Sequence, residues 1–252
     1  MVRTMGNPIF PRFEQLEPMT SGTGWTAWGE GRFQYLFRFQ GINCFLWMGQ
    51  GGQTDDSFFY HSLRGVRDLN LGDITYAAMT AWHLYSWYRA NRYCGSCGGR
   101  TIPGGAERLL RCPDCGNIIY PRINPAVIVA VTNGDRLLLT KYAGRAFTRY
   151  ALVAGFTEIG ETLEQTVARE VMEEVGLKVK NIRYYKSQPW GIDGNILMGF
   201  YCDLDGDDTI HLDESELSVG QWHTRGSIPA KDDSYSLTRE MIRVFDEGLH
   251  PQ

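Results

Sequence analysis

Glu170, Glu173 and Glu174 lie in the stretch GFTEIGETLEQTVAREVMEEVGL, residues 155–177. Thr162 is of the type that caps a helix N-terminus and Gly176 of the type that ends one, so the stretch predicts a helix between them. At ~100° per residue the three carboxylates share an arc of about 100°. Like charges at this spacing repel, and no lysine is interleaved to offset them. A bound divalent cation would remove the repulsion, and hard carboxylate oxygens suit Mg²⁺ or Mn²⁺. Arg169 sits beside the group and can orient one carboxylate through a charge-assisted hydrogen bond. The competing reading is an ordinary solvated acidic helix. Val171, Val175 and Ala168 are expected to point the other way, toward a core.

Cys94, Cys97, Cys112 and Cys115 form a second constellation, in YCGSCGGRTIPGGAERLLRCPDCGNIIYP. Two C-x2-C pairs separated by fourteen residues can present four thiolates from two tight turns, the tetrahedral set that zinc prefers. Gly95, Gly98 and Gly116 suit those turns. A closed four-sulfur site leaves no position for a substrate, so one structural Zn²⁺ per chain is expected, serving folding rather than chemistry. Paired structural or redox thiols are the alternative. Arg92, Arg100, Arg108, Arg111 and Arg122 in and around this segment also admit nucleic-acid contact as a minority reading. Cys44 and Cys202 stand alone in apolar surroundings.

The elements that must carry these groups follow from patterning. The chain has 252 residues, 43% hydrophobic and 21% charged, with a net charge of −4. That is enough for an ordinary core and argues against a broad basic surface. No apolar run is long enough to span a bilayer, and MVRTMGNPIFPRFEQLEP lacks the apolar stretch of a signal peptide, so a cytoplasmic protein is expected. Residues 1 to about 70 hold many aromatics, among them Trp25, Trp28, Phe33, Tyr35, Phe37, Phe39, Phe45 and Trp47, with glycines at 41, 49, 51 and 52. Residues 32–39 alternate as a half-buried strand does. A helix capped by Asp73 or Thr75 should run to about Arg92. PAVIVAV reads as a buried strand, Asn133-Gly134 as a hairpin turn and RLLLTKY as its partner. NIRYYKSQ and ILMGFYCDL read as strands, Asp205-Gly206 as a turn, Gln221–His223 as a short strand and Leu237–Phe245 as a closing helix. The expected organisation is a β-rich N-terminal domain ending in a helix (1–92), a zinc ribbon (93–123) and an α/β domain (124–252).

Gly155, Glu161, Arg169-Glu170-Val171, Glu173-Glu174 and Gly176-Leu177 stand at the defined offsets of the Nudix box. The sequence therefore resembles a Nudix hydrolase. The resemblance implies an α/β/α sandwich with a mixed sheet, in which the box forms a loop-helix-loop that holds Mg²⁺ or Mn²⁺ against a nucleoside diphosphate. Metal ions would neutralise the pyrophosphate and acidify the attacking water, and a glutamate would accept its proton. By position in the box, Glu170 and Glu174 are the principal metal ligands and Glu173 a ligand or the base. Glu161 and Arg169 tie loop to helix, with Gly155 and Gly176 as supporting positions.

The four cysteines, then YPRINPAVIVAV, LVAGF and SQPW, resemble more narrowly the NAD(H) pyrophosphatase family, which includes enzymes that remove NAD caps from RNA. The likeness is dense from Cys94 to Trp222. It implies cleavage of NADH to nicotinamide mononucleotide and AMP by a homodimer. It also implies that Tyr120 and Phe156 stack on a substrate ring, that Gln188, Pro189, Trp190, Gly191, Ile192, Asp193, Gly194 and Asn195 line the pocket, and that Glu216 and the Ala154 carbonyl add metal ligands. Two positions depart from the family pattern. After SQPW the family has Pro-Phe-Pro, whereas this chain has Gly191-Ile192-Asp193, so the pocket wall differs there. A further acid expected three residues beyond Glu216 is Val219. Other nucleotides, such as ADP-ribose or dinucleoside polyphosphates, are therefore alternative substrates. A non-catalytic nucleotide sensor is the alternative of a different class.

Overall fold

The computed structural model describes residues 2–5, 33–47, 58–63, 71–104, 107–144, 149–229 and 236–251. Trp25, Trp28 and the glycines at 49, 51 and 52 lie outside the described residues. The chain divides into two compact units, Met1–Arg122 with Gly191–Gly194, and Ile123–Trp190 with Asn195–Gln252.

In the first unit, β1 (Val2–Met5), β2 (Phe33–Phe39), β3 (Ile42–Trp47) and β4 (Phe58–His61) form two antiparallel pairs, β1 with β4 and β2 with β3. Of the strand expected at 32–39, Phe33–Phe39 is present. The register shifts between Tyr35 and Phe37, and Leu36 between them is buried while Tyr35 is exposed and Phe37 and Phe39 are half-buried. Helix α1 (Asp73–Ala90) begins one residue after its cap, Gly72, with no side-chain capping bond. Asp73 therefore opens the first turn, where its charge faces the helix dipole favourably, and Thr75 is fully buried; neither caps the helix. Three short antiparallel strands follow, β5 (Ile102–Pro103), β6 (Leu110–Arg111) and β7 (Ile118–Ile119). Leu110 of β6 packs with Leu36, Leu84, Trp87 and Tyr88 in one apolar cluster, so β2, α1 and the cysteine segment share a core.

The second unit is a six-stranded mixed sheet between two helices. Its elements are β8 (Asn124–Asn133), β9 (Arg136–Tyr142), β10 (Val153–Phe156), α2 (Leu163–Val175), β11 (Val179–Trp190), β12 (Asn195–Leu204), β13 (Leu217–Thr224) and α3 (Leu237–Asp246). The order is β11-β12-β8-β9-β13, with β10 also paired to β8. The β12–β8 pairing is parallel and the others antiparallel. Side chains alternate faces along a strand. Val127, Val129 and Val131 accordingly pack against Val167, Val171 and Val175 of α2. Ile128 and Ala130 pack against Leu237, Met241, Ile242 and Phe245 of α3. Burial on both faces is why β8 reads as a continuous apolar run. The hairpin loop is Gly134-Asp135, one residue later than expected, because Asn133 still pairs with Arg136. Ala168 is also a correction: it is exposed, and Val167 takes the core position beside Val171.

Candidate active site

Helix α2 is built to begin and end where the sequence marks it. The Thr162 side chain accepts from the Gln165 N–H, and the Gln165 side chain accepts from the Thr162 N–H, closing a reciprocal capping box. Gln165 is a partner the sequence reading did not single out, although the T-x-x-Q spacing announces it. At the other end Gly176 is left-handed, with φ 69°. A Cβ there would also lie 2.8 Å from Cβ of His211. The segment after β12 then satisfies the helix's last carbonyls: His211 N–H donates to Val175 O and Asp213 N–H to Glu174 O. A turn in which Asp213 Oδ1 accepts from the amide and hydroxyl of Ser215 leads directly to Glu216.

Arg169 is the hub of the loop-helix-loop. Its Nε donates to Glu161 Oε1 at 2.6 Å and its Nη2 to Glu161 Oε2 at 2.9 Å, a two-pronged contact. Nη2 also reaches the Phe156 carbonyl at 2.9 Å, joining β10 to the helix. Nη1 donates to Glu170 Oε1 at 2.8 Å and to Glu173 Oε2 at 2.9 Å. One cation therefore offsets part of the repulsion among the helix carboxylates. Glu161 accepts two further bonds, from Glu158 N–H and Thr166 Oγ1. The Arg169 guanidinium first, then these donors, hold its carboxyl down at about 2.

Glu170 is shifted the other way. Burial pushes its pKa up, and the charges of Glu173 and Glu216 add to that, against the opposing pull of Arg169. The fold thus brings Glu216, 46 positions along the chain from Glu170, within electrostatic reach of it. Glu174 is 2% exposed, while Glu173 projects outward. A half-buried carboxylate that resists ionisation beside further carboxylates is the environment a divalent cation relieves, so hard-metal chemistry fits these residues. Gly155 has a steric reason for its place. A Cβ on it would fall 1.9–2.2 Å from the Glu170 carboxyl atoms. Gly155→Ala can be accommodated only by swinging that carboxylate away, since it is the mobile end of its side chain. The expected result is an unchanged melting temperature with turnover reduced about 10²-fold, the scale of a 1 Å misplacement. Wild-type turnover in this variant would remove Glu170 from the working geometry.

The expected ring-binding residues are exposed, not core: Phe156 at 53% and Tyr120 at 58%. Tyr120 donates its hydroxyl to Glu107. Ala154, next to Gly155 on β10, is half-buried. The segment after Ser187 is heterogeneous. Gln188 is buried and its Oε1 accepts from the Leu237 N–H, supplying the first turn of α3 with the acceptor that Ser236 does not provide. Asn195 is buried and accepts from Asn124 Nδ2. Pro189 and Asp193 are exposed, with Trp190, Ile192 and Gly194 half-buried. Gly191 lies against α1: a Cβ would meet the Met79 carbonyl oxygen at 2.4 Å, and Trp82 Nε1 donates to the Ile192 carbonyl. A proline at 191 would not fit this approach.

In the cysteine segment the four ligand sulfurs lie within 4.8 Å of one another, the one such cluster of metal-ligating side chains among the described residues. The two halves repeat one geometry. Cys94 O accepts from Gly98 N–H and Cys94 N–H donates to Gly99 O; Cys112 and residues 116 and 117 do the same. Gly98 and Gly116 carry the positive φ these turns need, 77° and 76°, whereas Gly95 does not. The Ser96 and Cys97 amides hold the Cys94 thiol down at about 6. At Cys97 the Gly99 amide pulls downward, but the crowding of Cys112 and Cys115 wins and pushes the thiol up to about 12. Several adjacent thiolates need a cation to coexist, and soft sulfur in this arrangement fits Zn²⁺.

A NUDIX domain model matches residues 122–245 and an NADH pyrophosphatase zinc ribbon domain model residues 89–120. The chain is 37% identical over 197 residues to the NAD-capped RNA hydrolase NudC of Enterobacter sp. (strain 638), covering 78% of this chain and 74% of that one. The chain belongs to the Nudix hydrolase family. A second relative, the NAD-capped RNA hydrolase NudC of Escherichia coli (strain K12 / DH10B), is 38% identical over 197 residues, 78% of this chain and 75% of that protein. Among solved structures, a NUDIX hydrolase from Nitrosomonas europaea superposes with a TM-score of 0.52 at 28% identity, over 62% of this chain and 90% of that one. This Nudix hydrolase thus carries its metal-fitting carboxylates on an intact box and its four thiols in the ribbon that precedes it. No helix among its described residues is long and apolar enough to cross a membrane.

Proposed function

We propose that this Nudix hydrolase cleaves the pyrophosphate bond of NAD(H), giving nicotinamide mononucleotide and AMP, and removes NAD from the 5′ ends of capped RNA. The observation that carries the reading is the joint occurrence of the ribbon and the box in a chain 37% identical over 197 residues to a protein named NAD-capped RNA hydrolase. Mg²⁺ or Mn²⁺ is the proposed catalytic metal, held by Glu170, Glu173, Glu174 and Glu216 with the Ala154 carbonyl. Bound there, it would neutralise the phosphoanhydride and raise the acidity of water beside it. The protein's own contribution is positional. Arg169 fixes Glu170 and Glu173 relative to β10 through the Phe156 carbonyl. Burial raises the Glu170 pKa in the metal-free protein, and a bound dication would favour its ionised form. Phe156 and Tyr120, both exposed, offer ring faces for a nucleobase or nicotinamide, an interaction of ~1–3 kcal/mol each. Gln188, Pro189, Trp190 and the 191–195 segment are proposed to contact the substrate.

The departure at Gly191-Ile192-Asp193 favours a second reading within the class, hydrolysis of ADP-ribose or a dinucleoside polyphosphate. The intact box argues against a non-catalytic sensor. A homodimer in the cytoplasm, with residues 1–92, 93–123 and 124–252 as functional segments, completes the proposal. Six cysteines outside any disulfide, four of them grouped to hold a metal, are in keeping with a reducing compartment. The deciding experiment compares AMP release from NADH, NAD⁺, ADP-ribose and NAD-capped RNA, with and without Mn²⁺. Metal-dependent release from the NAD substrates is expected to exceed that from ADP-ribose. Preference for ADP-ribose would shift the assignment to the second reading, and release from none would revive the sensor.

A further inference from the structure

We propose that Thr166 is a positioning residue of the active site. Its buried hydroxyl fixes the Glu161 carboxylate, and through it the Arg169 guanidinium that holds Glu170 and Glu173. Thr166 is 0% exposed and lies one turn into α2. A threonine is a poorer helix former than alanine, and a buried hydroxyl is a cost unless it is bonded. The hydroxyl therefore needs a reason.

Two acceptors compete for its single proton, Glu161 Oε2 at 3.0 Å and the Thr162 carbonyl at 3.1 Å. A threonine in a helix ordinarily bonds back to the carbonyl four residues earlier. That carbonyl accepts the Thr166 N–H at 3.0 Å, as any helical carbonyl does, and keeps a second lone pair; the carboxylate is preferred because it is charged and draws the stronger bond. Thr166 Oγ1 therefore donates to Glu161. Glu161 Oε2 is then held from three directions, by Thr166 Oγ1, Glu158 N–H and Arg169 Nη2. Glu161 lies outside α2 and Thr166 within it, so this bond ties the loop to the helix independently of Arg169. With Glu161 fixed, two of the nitrogens of the guanidinium are fixed, and the third, Nη1, is aimed between Glu170 and Glu173.

The inference rests on the reading of those glutamates as metal ligands. The test compares Thr166→Val, which keeps shape and loses the donor, with Thr166→Ser, which keeps the donor and loses a methyl. Mn²⁺ affinity is measured by calorimetric titration of the nucleotide-free protein. The Mn²⁺ concentration for half-maximal hydrolysis is measured alongside it, and the urea midpoint without metal reports folding. Thr166→Val is expected to weaken Mn²⁺ binding and raise the half-maximal concentration about 10-fold, the lower end of what partners of metal ligands contribute. Thr166→Ser should stay within about twofold of wild type by the same scale. If the valine variant does not fold, Thr166→Ala removes the hydroxyl without crowding and takes its place. Wild-type metal requirement in the valine or alanine variant overturns the proposal while leaving the metal reading intact. An equal shift in the serine variant also overturns it, since packing would then be the cause. A wild-type protein that takes up no Mn²⁺ removes the metal reading and this inference together.

Discussion

Glu174→Gln is expected to lower turnover by about 10²-fold or more, the lower bound for a positioned ionisable group, and to leave the fold intact. Glu174 is the most deeply buried of the helix acids, 2% exposed at the end of α2 nearest Gly176. Glutamine has the same shape and fills the same space. It also removes one member of the Glu170–Glu174 pair, like charges one helical turn apart that cost ~0.2–0.5 kcal/mol. The metal-free variant should therefore be as stable as wild type or slightly more so. What glutamine cannot supply is the negative charge that holds a hard cation. The signature is thus the loss of the metal response. Wild type should gain thermal stability on addition of Mn²⁺, because a ligand of the folded state alone stabilises it. The variant should gain little, and its turnover should fall at every Mn²⁺ concentration. Melting curves with and without Mn²⁺, beside initial rates, decide the matter. Comparable activity in variant and wild type would remove Glu174 from the ligand set.

Much of this site could be read from residue order because its logic is local. Thr162 and Gly176 mark a helix by the chemistry of its ends, and the acidic face follows from 3.6-residue periodicity. The Arg169 contacts to Glu161, Glu170 and Glu173 span at most eight residues. The cysteine turns are equally local, each closed within a few residues. What escaped is either marginal in energy or distant in sequence. Ala168 has so little side chain that nothing in burial energetics ties it to a face, and Val167 displaces it. Asn133-Gly134 is a strong turn signal, but the ladder pairing of Asn133 with Arg136 moves the loop by one. The backbone of Gly72, not the carboxylate of Asp73, begins α1. The use of Gln188 as a helix acceptor depends on Leu237, 49 residues away, and that of Gly191 on the backbone of Met79. The clash that reserves position 155 for glycine requires knowing where the Glu170 carboxylate ends. No periodicity or composition encodes these, since each is a meeting of residues that only the folded chain brings together.

Cys112→Ser is expected to abolish zinc binding and to destabilise the first unit severely. Cys112 is fully buried and its sulfur lies 3.4 Å from that of Cys97. Serine preserves the backbone turn, in which Cys112 O accepts from Gly116 N–H and Cys112 N–H donates to Asn117 O. The substitution therefore isolates the sulfur. A hydroxyl is a poor ligand for Zn²⁺ and leaves a polar group where no water reaches. The strands that flank the turns are only two residues long, too short to stand by their ladder bonds. Beyond the metal they lean on the apolar cluster of Leu110 with Leu36, Leu84, Trp87 and Tyr88 and on the bonds from Thr101 to the Asn91 and Arg92 carbonyls. Structural zinc sites of this kind contribute about 10–16 kcal/mol of apparent binding free energy at neutral pH, which is folding free energy wherever the unfolded chain has no site. Against a whole-domain stability of ~5–15 kcal/mol, loss of the metal cannot be absorbed by the cluster alone. Elemental analysis should find one zinc per wild-type chain and none in the variant, with a melting transition lowered or lost. The same result should follow in wild type treated with a zinc-selective chelator, and added Zn²⁺ should rescue only the chelated wild type. A zinc-free variant that melts with the wild-type protein would show that the apolar cluster suffices and that the four thiols serve something other than folding.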